Sequence, residues 1–407
     1  LDTYLYASSH HLTIGTATAS KEVIIHTGGL MAANEIARFA STGLTLYTGM
    51  KLTTPLFKMT TGAAAGAVLV SDVNGDATWK PLNDSMYRQA IINGNFDVWQ
   101  RGTSATATAA AGLFLADRWR ESTIVDGGTN PTLTRSRGIL NPGELFGSYY
   151  YSRLTTNGAG SSYGVNSRYY YLNPIEHGNR FLCGDGKKVT VSFWARSSIA
   201  NKKLGLGLYQ AYGSGGSPSA GENINGTNWT LTSNWVKYTH TFTTNTLSGK
   251  TFGTDNNDVL SVAFQYIWGS SQASLVGAGT TAETFVGAGT IDIAQVQLCA
   301  GDVALPFMPK SVVEELSMCQ RYYEKSDMLA MFSGNVTSGQ NYYFSVPYKV
   351  TKRISVTPTL TTGGNSSFPA TNSVSFNNGI GGFVSQRTAN GTGTGYFWDT
   401  WTADAEL

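Results

Sequence analysis

Charge is the property this chain has least of. Asp, Glu, Lys and Arg together make up 13% of its 407 residues, about half the share of an ordinary globular protein. With a formal net charge of +2, no surface field suited to gripping a phosphate backbone is expected, which disfavours nucleic acid as a partner. Cysteine is scarce too. Cys183, Cys299 and Cys319 form an odd set with no Cys-x-x-Cys pair and no metal-like spacing to histidine. They read as buried, reduced thiols rather than a secreted disulfide framework, in keeping with assembly in a reducing cytosol. No apolar run reaches the length of about 18 residues that a membrane-spanning helix needs, so no membrane insertion is expected.

Catalytic signatures are missing as well. His10, His11, His26, His177 and His240 show no His-Glu-x-x-His spacing, and there is no Gly-x-Ser-x-Gly elbow. Gly249-Lys-Thr251 has Thr244 where a phosphate loop requires its first glycine, so the backbone cradle cannot form. Gly213-Ser-Gly-Gly216 lacks dinucleotide spacing and follows no βαβ unit. A glycosidase needs two carboxylates flanking a groove. Asp97, Asp117, Asp255, Asp258 and Asp292 are available for such a pair, but nothing in their spacing singles one out. The expectation is a non-enzyme, with no catalytic residue, cofactor or metal site assigned.

What is abundant points to β structure. Glycine accounts for 47 residues, hydrophobic residues for 41% and aromatics for 12%, too apolar for disorder and rich in turn formers. The expected class is mainly β, in five parts. Residues 1–57 alternate short apolar runs (12–14, 23–25, 44–47) with Gly/Thr/Ser turns. Strands this short cannot close a core alone, which predicts a fibrous trunk completed by neighbouring chains. Residues 32–39 are compatible with either a short helix or a strand. Residues 58–88 form a junction whose Asn74-Gly75 sits between alternating apolar residues, a β-hairpin signal. Residues 89–310 predict a sandwich, 311–325 a linking helix, and 326–407 a small second β domain. The helix is marked by Ser311 and Glu314, a capping box, and by Val312, Leu316, Cys319 and Tyr323 at helical spacing.

The ordered motifs inside this frame are more specific. Asn93-Gly-Asn-Phe-Asp-Val-Trp-Gln-Arg-Gly102 opens the sandwich, and Leu305-Pro-Phe, Glu314-Glu-Leu316 and Cys319-Gln-Arg-Tyr-Tyr323 close it. Between them stand Ala116-Asp-Arg-Trp119, Val191-Ser-Phe-Trp-Ala195, the loop from Gln210 to Ser219, Trp235-Val-Lys-Tyr238 with Phe242, and Gly253-Thr254. In kind and order these resemble the carbohydrate-binding-module-like jelly-roll domain of bacteriophage tail fibres, and the segment 61–82 is similar to the junction preceding their tips. Two departures are Leu305 where that family usually has Thr, and the repeat of Val276-Gly-Ala-Gly-Thr280 as Val286-Gly-Ala-Gly-Thr290.

The resemblance implies a virion protein, a homotrimeric phage tail fibre assembled in the host cytoplasm. Its partners would be other tail or virion proteins and a bacterial surface glycan bound for host attachment. Two alternatives stay open: a structural virion protein of the baseplate, neck or head decoration, and a glycan-degrading tailspike. It also leaves open a structural calcium near Asp97 and Asp292, and it implies framework roles in the core for Trp99, Trp119 and Trp235. The chain opens Leu-Asp-Thr-Tyr, read as the start of a fragment, and its ending at 402–407 looks like the family's C-terminus.

Sugar sites combine aromatic platforms with amide and guanidinium groups. Strand alternation puts Leu204, Leu206, Leu208, Gln210 and Tyr212 on one face, leaving Tyr209 beside Gly205 and Gly207, where the glycines predict a hollow rimmed by loop 213–219. Leu260, Val262, Phe264, Tyr266 and Trp268 likewise form a core face with Gln265 opposite. The predicted ligand-binding residues are Tyr209, Tyr212, Trp194, Gln265 and Trp229. The triplets 149–151 and 169–171, each Tyr-Tyr-Tyr, must turn at least one ring outward.

Overall fold

The structure, a computed structural model, describes residues 23–26, 35–40, 43–46, 67–71, 77–81 and 88–407, except 107–111, 130, 159, 162, 284–286, 327–329 and 371–372. The chain divides into two compact units, Leu1–Pro81 and Leu82–Leu407. In the first, β1 (Val23–His26), β2 (Glu35–Ala40) and β3 (Gly43–Leu46) form one antiparallel sheet. The open choice at 32–39 therefore resolves as a strand over its described part, 35–39. Ile24 and Ile25 of β1 are exposed, at 38% and 43%. β4 (Ala67–Ser71) pairs antiparallel with β5 (Ala77–Pro81), Ser71 opposite Ala77, so the two strands of the expected hairpin are present. The expected strand at 12–14, the Asn74-Gly75 turn itself and residues 63–66 lie outside the described residues.

The second unit opens with β6 (Ser104–Thr106), β7 (Leu113–Phe114), β8 (Arg120–Ile124), β9 (Leu133–Ile139), β10 (Tyr150–Thr156) and β11 (Arg168–Glu176). After the short helix α1 (Gly178–Leu182) come β12 (Lys188–Ser197), β13 (Lys203–Ala211), β14 (Glu222–Thr230), β15 (Val236–Thr243), β16 (Val259–Trp268) and β17 (Gly289–Ala300). They form two six-stranded antiparallel sheets, ordered β15-β12-β17-β10-β9-β6 and β14-β13-β16-β11-β8-β7. From β8 onward the chain changes sheet at nearly every step, which is a jelly-roll path. The core lies between the sheets, because alternation sends Val189, Val191 and Phe193 inward from one and Leu204, Leu206, Leu208, Val262 and Phe264 inward from the other. It also encloses an ion pair. Arg135 Nε lies 2.6 Å from Glu121 Oε1, and the Tyr169 hydroxyl donates to Glu121 Oε2 at 2.6 Å.

The helix α2 (Val312–Gln320) starts where expected, with the Ser311 hydroxyl accepting from the Glu314 N–H at 3.2 Å. It stops at Gln320, and Tyr323 begins a strand instead of continuing the helix. Its packed face also differs from the apolar stripe that helical spacing suggested. Of that stripe Cys319 is buried as expected but Val312 is 62% exposed, and the residues buried beside Cys319 are Glu315 and Gln320. The reason is polar. Glu315 accepts the backbone N–H of Asn93, which fixes the helix by a carboxylate rather than by aliphatic side chains. Burial pushes that carboxyl's pKa up.

Asn93, fully buried, is the node of a larger network. Its amide donates to the carbonyls of Val98 (2.8 Å) and Asp117 (2.9 Å), its side-chain oxygen accepts from Val98 N–H (3.0 Å), and its own carbonyl accepts from the Trp119 indole (2.9 Å). It adopts φ 58°, a left-handed conformation that Asn tolerates better than most residues. Gln100 carries the network on to the Asp117 carboxylate and the Tyr323 carbonyl. Burial raises the Asp117 pKa to about 6 despite the hydrogen bonds from Gln100.

Past the helix, β18 (Tyr323–Lys325), β19 (Ala330–Val336), β20 (Asn341–Pro347), β21 (Thr359–Ser366), β22 (Val374–Phe376), β23 (Gly382–Thr388) and β24 (Gly393–Asp404) make two small sheets. Phe332, Phe368 and Phe397 fill one cluster between them, and Tyr348, Phe383 and Trp401 another. This module is fastened to the helix by Lys352, fully buried, whose ammonium donates to Glu324 and to the carbonyls of Gln320 (2.6 Å) and Val350 (2.9 Å).

Asn93→Ala removes three side-chain hydrogen bonds and strands buried partners. It should lower unfolding free energy by on the order of 3 kcal/mol in urea denaturation of the full chain. Val312→Ala, at an exposed helical position, should change it by less than about 0.5 kcal/mol.

Candidate functional site

The outward face of the sheet β14-β13-β16-β11-β8-β7 is hollowed into a groove of about 680 Å³. Its shape follows from residue size. β16 contributes Val259, Ser261, Ala263 and Gln265 and β13 contributes Tyr209 and Ala211, so much of the floor is small. β11 supplies Arg168, Tyr170, Leu172 and Pro174, and Arg120 comes from β8. From Arg168 to Pro174 the groove follows a strand for roughly 20 Å at the usual rise. Leu275, from the short 3-10 helix Ser270–Val276, closes one end, while Asn257, Arg353 and Glu406 stand toward the other.

Tyr209 is 38% exposed and lies against the backbone of Gly221, where a Cβ would fall 2.0 Å from its hydroxyl. The ring is thereby presented rather than buried. Gln265 is 6% exposed and its side-chain oxygen has no hydrogen-bond partner. Arg168 donates to Gln272 at 3.1 Å and stands 5.1 Å from the Tyr170 ring, but its Nε is buried and unpartnered. A buried donor and a buried acceptor left open in one groove are unusual, because such groups cost free energy when unpaired. Glu406 is the single carboxylate side chain on the lining, and it pairs with Arg118 and Arg101.

Of the five residues predicted as ligand contacts, the structure brings Tyr209 and Gln265 together in this groove. The other three lie elsewhere. Tyr212 is 1% exposed and donates to Glu222 at 2.6 Å. Trp229 points at the sandwich core, edge-on to Phe193 with ring centres 5.5 Å apart. Trp194 sits on the outer face of the opposite sheet, against Leu140, Leu145 and Tyr151. Trp235 is there too rather than in the main core, its indole donating to Glu144 at 2.8 Å, whereas Trp99 and Trp119 are core residues.

The hollow expected beside Gly205 and Gly207 is filled by the chain itself. A Cβ on Gly205 would meet Val276 Cγ1 at 2.4 Å, and one on Gly207 the Leu275 carbonyl at 3.1 Å. Those glycines let the 3-10 segment lie down on β13. Gly221 and Asn223, rather than 213–219, border the groove. The calcium expectation also changes. Asp292 accepts from both Arg153 (2.7 and 2.9 Å) and Arg196 (2.8 Å), and two guanidinium groups stand where a cation would have to approach.

Residues the sequence reading missed are Arg120, Arg168, Leu275, Arg353 and Glu406. One signal was within reach. In the triplet 169–171, Tyr169 and Tyr171 are fully buried and Tyr170 turns out to the groove, so its neighbour two positions back, Arg168, shares that face.

No protein-family model matches the chain, and no curated protein matches it either. Among solved structures, the N-terminal cellulose-binding domain of Cellulomonas fimi β-1,4-glucanase C is 18% identical over 38% of this chain and 80% of that one, with a TM-score of 0.24. The family 11 carbohydrate-binding module of Clostridium thermocellum, in complex with a β-1,3-1,4-mixed-linked tetrasaccharide, is 12% identical over 48% and 95%, with a TM-score of 0.25. The enzymatically active domain of bacteriophage CBA120 tailspike protein 4 is 12% identical over 52% and 21%, also at 0.25. Likenesses this faint are no ground for a shared fold or activity.

Gly205→Ala should push Val276 and its segment off β13. A melting temperature several degrees lower is expected, in line with an overpacking cost of about 1–3 kcal/mol.

Proposed function

We propose that this chain is a phage tail-fibre or receptor-binding protein of the virion that adheres to a bacterial surface glycan through the β13–β16–β11 groove without cleaving it. The observation that carries this reading is the groove's combination of an exposed tyrosine face, Tyr209, with an unsatisfied amide and guanidinium, Gln265 and Arg168. A sugar ring offers an apolar C–H face for the first and hydroxyls for the others. Glycoside hydrolysis by the usual route needs two carboxyl groups across the bond, and the one carboxylate side chain on this lining is held by arginines. The ordered motifs between residues 93 and 323 support a tail-fibre context, and the exposed Ile24 and Ile25 support a trunk completed by two further copies in a homotrimer.

Light scattering on the full chain should give the mass of three copies; a stable monomer at micromolar concentration would overturn the trimer. For the site, Tyr209→Ala should abolish adsorption to host cells while melting stays within about 0.5 kcal/mol. Adsorption that survives that substitution but fails on alteration of 326–407 would move the receptor contact to the terminal β module, and an unsubstituted chain that adsorbs to no host cell would favour the structural virion protein instead. The exposed Ile139, Phe146 and Tyr149, at 62%, 99% and 58%, would then be candidates for packing on a neighbouring protein.

A further inference from the structure

The thirteen arginines of the second unit differ in what they pair with. Eight of them, including Arg101, Arg118 and Arg135, form ion pairs with carboxylates. Of the five that form no ion pair among the described residues, Arg88 donates to Met308 and Arg137 stands over the Tyr150 ring, while Arg120, Arg168 and Arg353 are all on the groove. Arg353 donates to three backbone carbonyls, of Ala405 (3.1 Å), Asn256 (3.3 Å) and Glu406 (3.4 Å). Arg168 uses one nitrogen on Gln272 and leaves Nε buried and open. Arg120 lies against Gly112, where a Cβ would fall 2.5 Å from its Nε, so the chain leaves space for the guanidinium. In a protein with 28 basic and 26 acidic residues, this local excess is not a by-product of overall charge.

Resting on the glycan reading of this same groove, we propose that its ligand is an acidic polysaccharide whose carboxylates pair with Arg168, Arg120 and Arg353. A guanidinium presents a planar fork that matches a carboxylate with two parallel hydrogen bonds, and a desolvated groove strengthens each. Spacing favours a polymer over a lone anion. Arg120 stands opposite Leu172 in the sheet register, four residues along β11 from Arg168, so their backbones lie roughly 13 Å apart. Charges that far apart suit acids recurring along a chain. The unpartnered Gln265 oxygen accepts from a hydroxyl of the same sugars, and Tyr209 takes a ring face.

The test uses the full-length protein and a plate-immobilised panel of alginate, polygalacturonate, hyaluronate, polysialic acid and xanthan. Each is paired with its carboxyl-reduced, neutral form, with dextran sulfate, dextran and mannan as sulfated and neutral members. Binding confined to carboxylate forms is expected, falling at least about tenfold on carboxyl reduction and steeply between 0.05 and 0.5 M salt, as roughly expected for screened charges. Arg120→Gln should weaken it by about tenfold with melting unchanged. Equal binding to native and reduced forms, or to dextran and mannan, would overturn the acidic assignment and leave the glycan reading standing. Preference for dextran sulfate over every carboxylate would overturn it in favour of sulfated sugars. Absence of binding to every member by protein that still adsorbs to host cells overturns the acidic assignment alone, and absence of both removes the glycan reading with it.

Discussion

The second unit depends on one buried contact, the carboxylate of Glu315 on the backbone N–H of Asn93. It joins the segment entering the jelly roll to the helix that follows its last strand, 222 residues later. A buried carboxylate is costly unless hydrogen-bonded. Asn93 in turn uses its amide on Val98 and Asp117 and its carbonyl on Trp119. Each member is therefore satisfied only while the others are in place, so the network specifies one arrangement of chain ends rather than simply adding attraction.

The groove inherits its geometry from that arrangement. Arg118, next to the Trp119 anchored by Asn93, pairs with Glu406 and donates to the Pro174 carbonyl on β11. Arg101, at the end of the opening motif, reaches Asp404 and Glu406. The last residues of the terminal module are thus drawn to one end of the groove. Arg353 follows, because its Nε donates to the Ala405 carbonyl. One end of the candidate site is therefore set by contacts that span most of the unit, while the other is set locally by a 3-10 segment resting on two glycines.

Strand periodicity made part of this legible. On β13 and β16 a side-chain period of two, with apolar residues on one face, was enough to send Leu204, Leu206 and Leu208 inward and Tyr209 and Gln265 out. Tyr212 and Trp229 were out of reach of the same rule. Tyr212 lies past the end of β13 and turns to Glu222, and Trp229 sits on a strand whose burial hardly alternates. On helix α2 the cap, the start and the burial of Cys319 follow from the sequence, but hydrophobic spacing cannot register that Glu315 makes the packed contact. The Gly205 hollow was foreseen but not its occupant, since which segment lies over a glycine is decided by tertiary path. Arg353 and Glu406 reach the groove across 80 to 240 residues of chain from the strands they adjoin, and no local pattern carries that information.

The jelly roll's edge-to-edge path also sets an order of events. The Ala90 N–H donates to the Leu298 carbonyl and the Val296 N–H to the Gly94 carbonyl, so residues near the start of the unit wait for β17 before they have backbone partners. A ribosome delivers about 5–20 residues per second, which leaves the nascent segment unpaired for on the order of 10 to 40 seconds. Contacts so distant in sequence also slow folding through the entropy of closing a long loop. During that interval β10 and β12, the neighbours of β17 in the sheet, present open hydrogen-bonding edges to one another and to any other chain on the same message. The closing strand is thus also the moment at which the sheet stops being able to pair with the wrong neighbour.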